Sequence, residues 1–307
     1  MDAAVVIPSY NARDTIRDCL DSLRRQTRQP DEVVVVDSSC DSTPDIVREE
    51  YPEVRLIHRE QQTLAWEGRN IGAERAGAEL VAFMDTDCIA VPDWLEALVE
   101  AQQESGCVAV GGAIGGLEDE NWVATLDRTQ FSEFLPGAPR RAVERAPTAS
   151  FIVRRDAYLE VGGCPALVFT EDFGLCRKLT DRYGPLRFEP KAIVKHLSSP
   201  RLRDLYRRQR QLGVGFVEAR SYDPSLSGTF VLGRGWVACL LPVARAVRTL
   251  WRLARYDRHM LGVTLQHVPT FVRCMVEWLR GYRRECRARE RRPEGCAART
   301  AGGKATP

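Results

Sequence analysis

The sequence predicts an α/β fold: a mostly parallel sheet flanked by helices, followed by a C-terminal helical appendage. Three observations lead there. Over the first 110 residues short apolar runs alternate with helical periodicity. Polar clusters follow the ends of three of those runs, and beyond residue 200 the chain turns helical and arginine-rich. A β-α-β-α rhythm builds a parallel sheet covered on both faces, and ligands in such sheets bind beyond the C-terminal strand ends.

The elements follow in order. Ala3 to Ile7 is an apolar run suited to a buried parallel strand. Ile16, Leu20 and Leu23 recur at helical spacing. Glu32 to Val36 forms a second strand that ends at Asp37. After the polar stretch 38–43, Thr43 and Pro44 read as the cap and first residue of a helix. Val54 to Ile57 is a third strand, Glu67 to Ala76 a helix, and Leu80 to Met84 a fourth strand. Pro92 opens a helix toward Glu104, and Cys107 to Val110 closes the series.

Residues 111–200 are less regular, with glycine joints at Gly111-Gly112, Gly115-Gly116 and Gly162-Gly163. Strands are predicted near Ser150 to Val153 and Ala192 to Lys195, with a helix over Glu171 to Arg182. Arg201 to Glu218 reads as a basic helix. Phe230 to Leu250 and Met260 to Leu279 are apolar and helical but broken by Arg234, Arg245, Arg248 and Arg273. Neither supplies the roughly 20 uninterrupted apolar residues of a spanning helix. They are read as lying in a membrane interface with arginines snorkelling to headgroups; the alternative is a helical hairpin packed on the main domain. Three regions result: a main domain over 1–220, an amphipathic appendage over 221–283, and a basic disordered tail over 284–307.

Bulk properties exclude more than they assign. A formal net charge of +2 gives no reason to expect a polyanion partner. Seven of the thirteen residues from Arg280 to Arg292 are arginine, but the arginine-rich tail after Arg283 is short, lacks interleaved aromatics and suits anionic lipid better than nucleic acid. The ten cysteines lie at no metal-ligand spacing. Cys19, Cys88 and Cys176 fall in apolar stretches as buried thiols. No signal peptide is read at the N-terminus, so a cytoplasmic, reducing location is expected, peripheral to the membrane if the appendage binds it.

Asp85-Thr86-Asp87 follows an apolar strand. In extended chain, residues i and i+2 point to one side, so both carboxylates can face one ion. Hard oxygen ligands suit Mg²⁺ or Mn²⁺. A lone D-x-D is weak, and its place at a strand end strengthens it. Thr170-Glu171-Asp172 opens a helix, where acids also complement the dipole; the functional alternative is a general base. His196 ends a strand near these acids as a third candidate metal ligand.

Together these pieces resemble family 2 glycosyltransferases of the GT-A (Rossmann-like) fold. The resemblance rests on Val6-Ile7-Pro8-Ser9-Tyr10-Asn11, on the run from Val36 and Asp37 to Thr43, and on Gly68-Arg69-Asn70-Ile71-Gly72. It continues through Asp85-Thr86-Asp87, Val161-Gly162-Gly163, Thr170-Glu171-Asp172 and His196. It implies that Pro8 and Tyr10 form a nucleotide pocket, that Asp37 accepts a hydrogen bond from the base with Arg69 beside it, and that Asp85 lies near ribose and metal. It further implies that Asp87 binds the metal, with His196 a metal or diphosphate contact, that Asp172 is the general base, and that Glu171 is its neighbour on the acceptor side. The implied reaction is inverting transfer from a nucleotide-diphosphate-sugar, UDP being the family's commonest base, to a hydroxyl acceptor, either a glycan or lipid-linked. Arg207 or Arg210 is a candidate for holding the diphosphate, although a solvated or lipid-facing surface is the favoured reading of that basic helix. Gln209-Arg210-Gln211-Leu212 departs from the Q-x-x-R-W motif of processive members, which favours transfer of a single sugar. The absence of G-x-G-x-x-G after the first strand argues against a dehydrogenase. A non-catalytic scaffold that binds sugar nucleotides is the competing reading; it would require a lost carboxylate, and Asp85, Asp87 and Asp172 are all present.

Overall fold

The computed structural model describes residues 1–226 and 237–291. Its first part gives β1 (Ala3–Ser9), α1 (Ile16–Arg24), β2 (Glu32–Asp37), α2 (Thr43–Glu50), β3 (Arg55–His58), α3 (Ala65–Arg75), β4 (Leu80–Met84), β5 (Cys88–Ala90), α4 (Trp94–Ser105) and β6 (Ala109–Gly115). Strands β3, β2, β1 and β4 lie side by side and parallel. Their sequences are almost wholly apolar because helices cover both faces. Ala3, Val5 and Ile7 enter one core with α1, α2 and α4, whereas Ala4 and Val6 enter another with the end of α3.

The chain then forms α5 (Trp122–Arg128), β7 (Arg141–Val143), β8 (Ser150–Arg154), α6 (Arg155–Glu160), α7 (Glu171–Tyr183), β9 (Leu186–His196) and α8 (Leu202–Tyr222). The sheet order is β3-β2-β1-β4-β8-β6-β9-β5, with β7 added to β9. Here the sheet becomes mixed. β8 runs antiparallel to both β4 and β6, β9 runs parallel to β6, and β5 and β7 run antiparallel to β9. Gly111, Gly112 and Gly115, read from sequence as joints, lie inside β6, and the register against β9 shifts after Gly112. The strand predicted at Ala192–Lys195 is the last part of an 11-residue β9. At α2 the cap shifts by one residue to Ser42; Thr43 Oγ1 instead donates to Asp41 at 2.5 Å and accepts from the Ala12 N–H at 2.9 Å.

The C-terminal part contains α9 (Leu241–Tyr256), α10 (Arg258–Gln266) and α11 (Val268–Glu290). The predicted helix over Phe230–Leu250 falls partly outside the described residues. The one over Met260–Leu279 is broken at His267 into α10 and α11. Helix α11 runs to Glu290, beyond residue 283 where the tail was expected to begin; residues 292–307 lie outside the description. Val123 and Leu126 of α5 share a core with Leu205 of α8 and Phe271 of α11, so the appendage packs on the main domain. No helix among the described residues is long and apolar enough to cross a membrane. The nine described cysteines are free, and Cys19, Cys88 and Cys176 are buried.

Candidate active site

Three parallel strands deliver polar residues to one edge of the sheet. Pro8 and Ser9 end β1 and Tyr10 follows it, Asp37 ends β2, and Asp85-Thr86-Asp87 follows β4. The loops after β1 and β2 are tied together by side chains. Asn11, in the left-handed region at φ 50°, accepts the Cys40 N–H at 3.0 Å, while its own N–H donates to Ser39 Oγ at 2.7 Å. Asparagine tolerates that backbone better than most residues. Asp37 is fully buried and holds the floor: it accepts from Ser9 Oγ at 2.8 Å, Ser39 Oγ at 2.6 Å and Ser39 N at 3.0 Å, and meets His58 Nδ1 at 2.8 Å. Those four contacts fill the acceptor capacity of one carboxylate. The Tyr10 ring is 43% exposed at the rim.

Helix α3 explains why glycines flank Arg69. A Cβ on Gly72 would fall 2.2 Å from Val6 Cγ1, and one on Gly68 would fall 2.9 Å from Pro8 Cβ. Only glycine at these i and i+4 positions lets α3 lie this close to β1. Arg69 on this helix is buried, and the acids it pairs with are Asp85 and Glu171 rather than Asp37, beside which it was expected. Its Nη2 donates to Asp85 Oδ1 at 2.6 Å and its Nη1 to Glu171 Oε1 at 2.9 Å. Burial opposes the guanidinium charge, but Asp85 and Glu171 outweigh it and hold the group above its ordinary pKa. The Gly162-Gly163 pair, at φ 70° and 58°, folds around the next residue of α3. Asn70 Oδ1 there accepts from Tyr158 Oη at 2.5 Å and Cys164 N at 2.9 Å.

Asp172 and Glu171 open α7. The loop before them is held from α8: Glu218 accepts the Val168 and Phe169 N–H groups at 2.9 and 3.0 Å and the Thr170 hydroxyl at 2.8 Å. Burial raises the Asp172 carboxyl above its ordinary pKa, against the pull of the Phe173 N–H, Arg145 and Arg69. Glu171 is pushed up in the same way by burial, with Arg69 pulling it down and Asp172 pushing it further up.

At the other side of the Asp85 loop, β5 pairs Cys88 with His196. That brings His196 Nε2 to 3.5 Å from Asp87 Oδ2. Its Nδ1 meets Ser198 Oγ at 3.0 Å. Sequence reasoning missed the next member, Asp127 on α5. Asp127 is buried, its Oδ1 has no hydrogen-bond partner among the described residues, and burial raises its pKa against Arg208, His196 and a hydrogen bond with Ser198. It lies in a seven-residue helix with no motif around it, so no sequence signal marked it. Arg207 and Arg210, candidates for the diphosphate or for a solvated or lipid-facing surface, pair with Asp204 at 2.9 Å and Glu277 at 3.6 Å. Arg208 of the same helix acts electrostatically on Asp127.

A carboxylate and an imidazole 3.5 Å apart suit a divalent ion whose remaining ligands come from phosphate and water. Among the described residues no three such side chains converge to hold an ion unaided.

Comparison with known proteins bears on the family and the fold. The model of the glycosyl transferase family 2 matches residues 4–162, just over half of the chain. The chain is 29% identical over 253 residues to the glycosyltransferase AglE of Haloferax volcanii, covering 78% of this chain and 81% of that protein. It is also 29% identical over 243 residues to the pre-mycofactocin glycosyltransferase of Mycobacterium tuberculosis, covering 76% of this chain but about half (51%) of that longer relative. Among solved structures, the mannosyltransferase PcManGT of Pyrobaculum calidifontis shares the fold with a TM-score of 0.61 at 19% identity, covering 92% of this chain and 86% of that one. The S. aureus TarS 1–349 structure does so at 0.54 and 17%, covering 94% and 91%. Strand order, the acidic loop at the sheet edge and the family match lead to one assignment: this chain belongs to glycosyl transferase family 2 and has the GT-A fold.

Proposed function

We propose that the chain transfers one sugar from a nucleotide-diphosphate-sugar to a hydroxyl acceptor with inversion at the anomeric carbon. The observation that carries this reading is the Arg69 bridge, which binds Asp85 on the donor side and Glu171 on the acceptor side into one site. A scaffold that only binds donor has no need of a raised-pKa carboxyl such as Asp172 beside that bridge.

In this mechanism Asp172 takes the proton of the acceptor hydroxyl as its oxygen bonds to the anomeric carbon. The bond from that carbon to the diphosphate oxygen breaks from the opposite face, and its electron pair leaves with the nucleoside diphosphate. Arg208, which acts electrostatically on Asp127, would supply a cation to meet the departing charge. Asp87 and His196, with Asp85 adjacent, would hold Mg²⁺ or Mn²⁺, which supplies Lewis-acid neutralisation of the diphosphate when bound. Tyr10 offers a ring for the base and Pro8 lines the same pocket. A base contact with Asp37 displaces His58, whose side chain is 30% exposed and can move. Structural neighbours of the same fold carry GDP-Man with Mn²⁺ and UDP-GlcNAc, so the fold does not select the base, and UDP rests on the family resemblance alone.

The appendage supports attachment to an anionic membrane surface. Leu240, Val243, Val247 and Trp251 are each more than half exposed, and no aspartate or glutamate between residues 238 and 289 is exposed. Apolar side chains interspersed with arginine fit an interfacial helix.

Calorimetric titration with UDP and GDP, with and without Mn²⁺, tests the donor site. One nucleotide is expected to bind with Mn²⁺ and to lose most of its affinity in Asp87→Ala. Equal binding without metal by both proteins would remove the metal role.

A further inference from the structure

A stacking ring does not choose between bases. Every base has a π-face, so Tyr10 can hold a nucleotide without reading it. Selection needs a polar group at the base edge that the protein has not already satisfied. Most polar side chains at the ends of β1 and β2 are committed. Asp37 is filled by its four contacts, one of them the Ser9 hydroxyl. Ser39 Oγ donates to Asp37 and accepts the Asn11 N–H. Buried Ser38 accepts the Thr63 N–H at 3.1 Å and meets Thr63 Oγ1 at 3.2 Å, which ties the segment ahead of α3 to the end of β2.

His58 differs. It ends β3, the edge strand of the sheet, in register with Asp37. Its Nδ1 lies 2.8 Å from Asp37 Oδ2, and its side chain is half-buried where that of Asp37 is fully buried. Asp37 already accepts from three donors, so Nδ1 is the nitrogen that carries the shared proton. In the neutral ring Nε2 is then an acceptor, and it makes no hydrogen bond to any described residue. The ring is therefore anchored to a carboxylate that three other donors hold still. A base contact with Asp37 itself gives up the His58 bond, whereas a contact through Nε2 keeps all four.

An acceptor in that place separates two classes of base. Uracil and thymine at N3, and guanine at N1, carry a ring N–H that can donate to it. Cytosine at N3 and adenine at N1 carry a lone pair instead, which would leave two acceptors facing each other unpaired. We propose that His58, oriented by Asp37, selects the donor nucleotide by accepting at Nε2 the ring N–H of uracil, thymine or guanine, and so disfavours cytosine and adenine. The proposal rests on the donor-binding reading of this sheet edge and narrows the donor to one class of base.

The full-length protein with Mn²⁺ is titrated calorimetrically with UDP, dTDP, GDP, CDP and ADP. One of the first three is expected to bind tightest, at least about tenfold above its amino counterpart, since an unpaired acceptor costs about that much. The counterpart is CDP for the pyrimidines and ADP for GDP. His58→Asn keeps an N–H toward Asp37 but places nothing at the outer position. It is expected to cut that margin to about threefold or less, chiefly by weakening the favoured nucleotide. His58→Gln can turn either end of its amide outward and is expected to narrow the margin by strengthening the counterpart. Tightest binding of CDP or ADP overturns the proposal. An unchanged margin in either variant that folds also overturns it and returns the base contact to Asp37. Equal loss for all five nucleotides in His58→Asn overturns it too, because His58 then only supports the loops. Binding of none of the five by wild type removes the donor reading and the proposal together, whereas selectivity for the other class removes the proposal alone.

Discussion

At the scale of single residues, Asp172 and Arg69 divide the work. Only an ionised Asp172 can accept a proton, and burial raises its pKa. Turnover should therefore fall as pH drops through a value above the ordinary carboxylate range. Arg145 lowers that pKa, so Arg145→Ala should move the falling limb to higher pH; a pH–rate profile that does not move would contradict the placement. Arg69 is 2% exposed and neutralises two carboxylates. Arg69→Met should cost about 3 kcal/mol, because removing one partner of a buried pair leaves the others uncompensated. Urea unfolding reads this directly, and an unchanged midpoint would mean that solvent satisfies both acids. The identity of these residues was legible in the sequence, but the partnership of Arg69 was not. The motif Gly68-Arg69-Asn70-Ile71-Gly72 marks a site, whereas the direction of its arginine depends on how closely α3 meets β1.

At the scale of elements, glycine contacts and one glutamate set the geometry. Gly72→Ala places a methyl against Val6 and should destabilise the fold by about 1–3 kcal/mol through overpacking; a thermal midpoint equal to wild type would show that α3 can shift. Glu218→Ala frees the segment before Glu171 and Asp172. It should lower kcat about tenfold or more with little change in donor KM, since misplacing a reacting group raises the barrier without weakening the donor. A change confined to KM would place Glu218 in donor binding instead. The parallel strands β1 to β4 were readable because each is a short apolar run bounded by turn residues. β5 and β7 have three residues each, too few for any period to register, and β6 hides its length behind glycines. Asp127 escaped for a related reason, since its role comes from the β9 turn that brings Ser198 and His196 to it.

At the scale of the whole molecule, α8 of the main domain joins the candidate site to the appendage, which packs against α8 and α5. Helix α8 supplies Glu218 to the loop ahead of the base and Arg208 to the acid side, and α5 is fixed between the sheet edge and α8, α10 and α11. Basic, helical character beyond residue 200 was visible in the sequence. Which arginines turn inward was not, because helix phase and crossing angle decide it. The central claim is that one site binds the donor through the Asp85–Asp87 loop and removes the acceptor proton with Asp172. Its most direct test is UDP or GDP release from a panel of nucleotide-sugars with Mn²⁺, water serving as acceptor, compared between wild type and Asp172→Asn at matched nucleotide binding. One donor is expected to be turned over by wild type and the rate to fall about 10²–10⁴-fold in Asp172→Asn, with nucleotide affinity retained. Equal rates in the two proteins would contradict it.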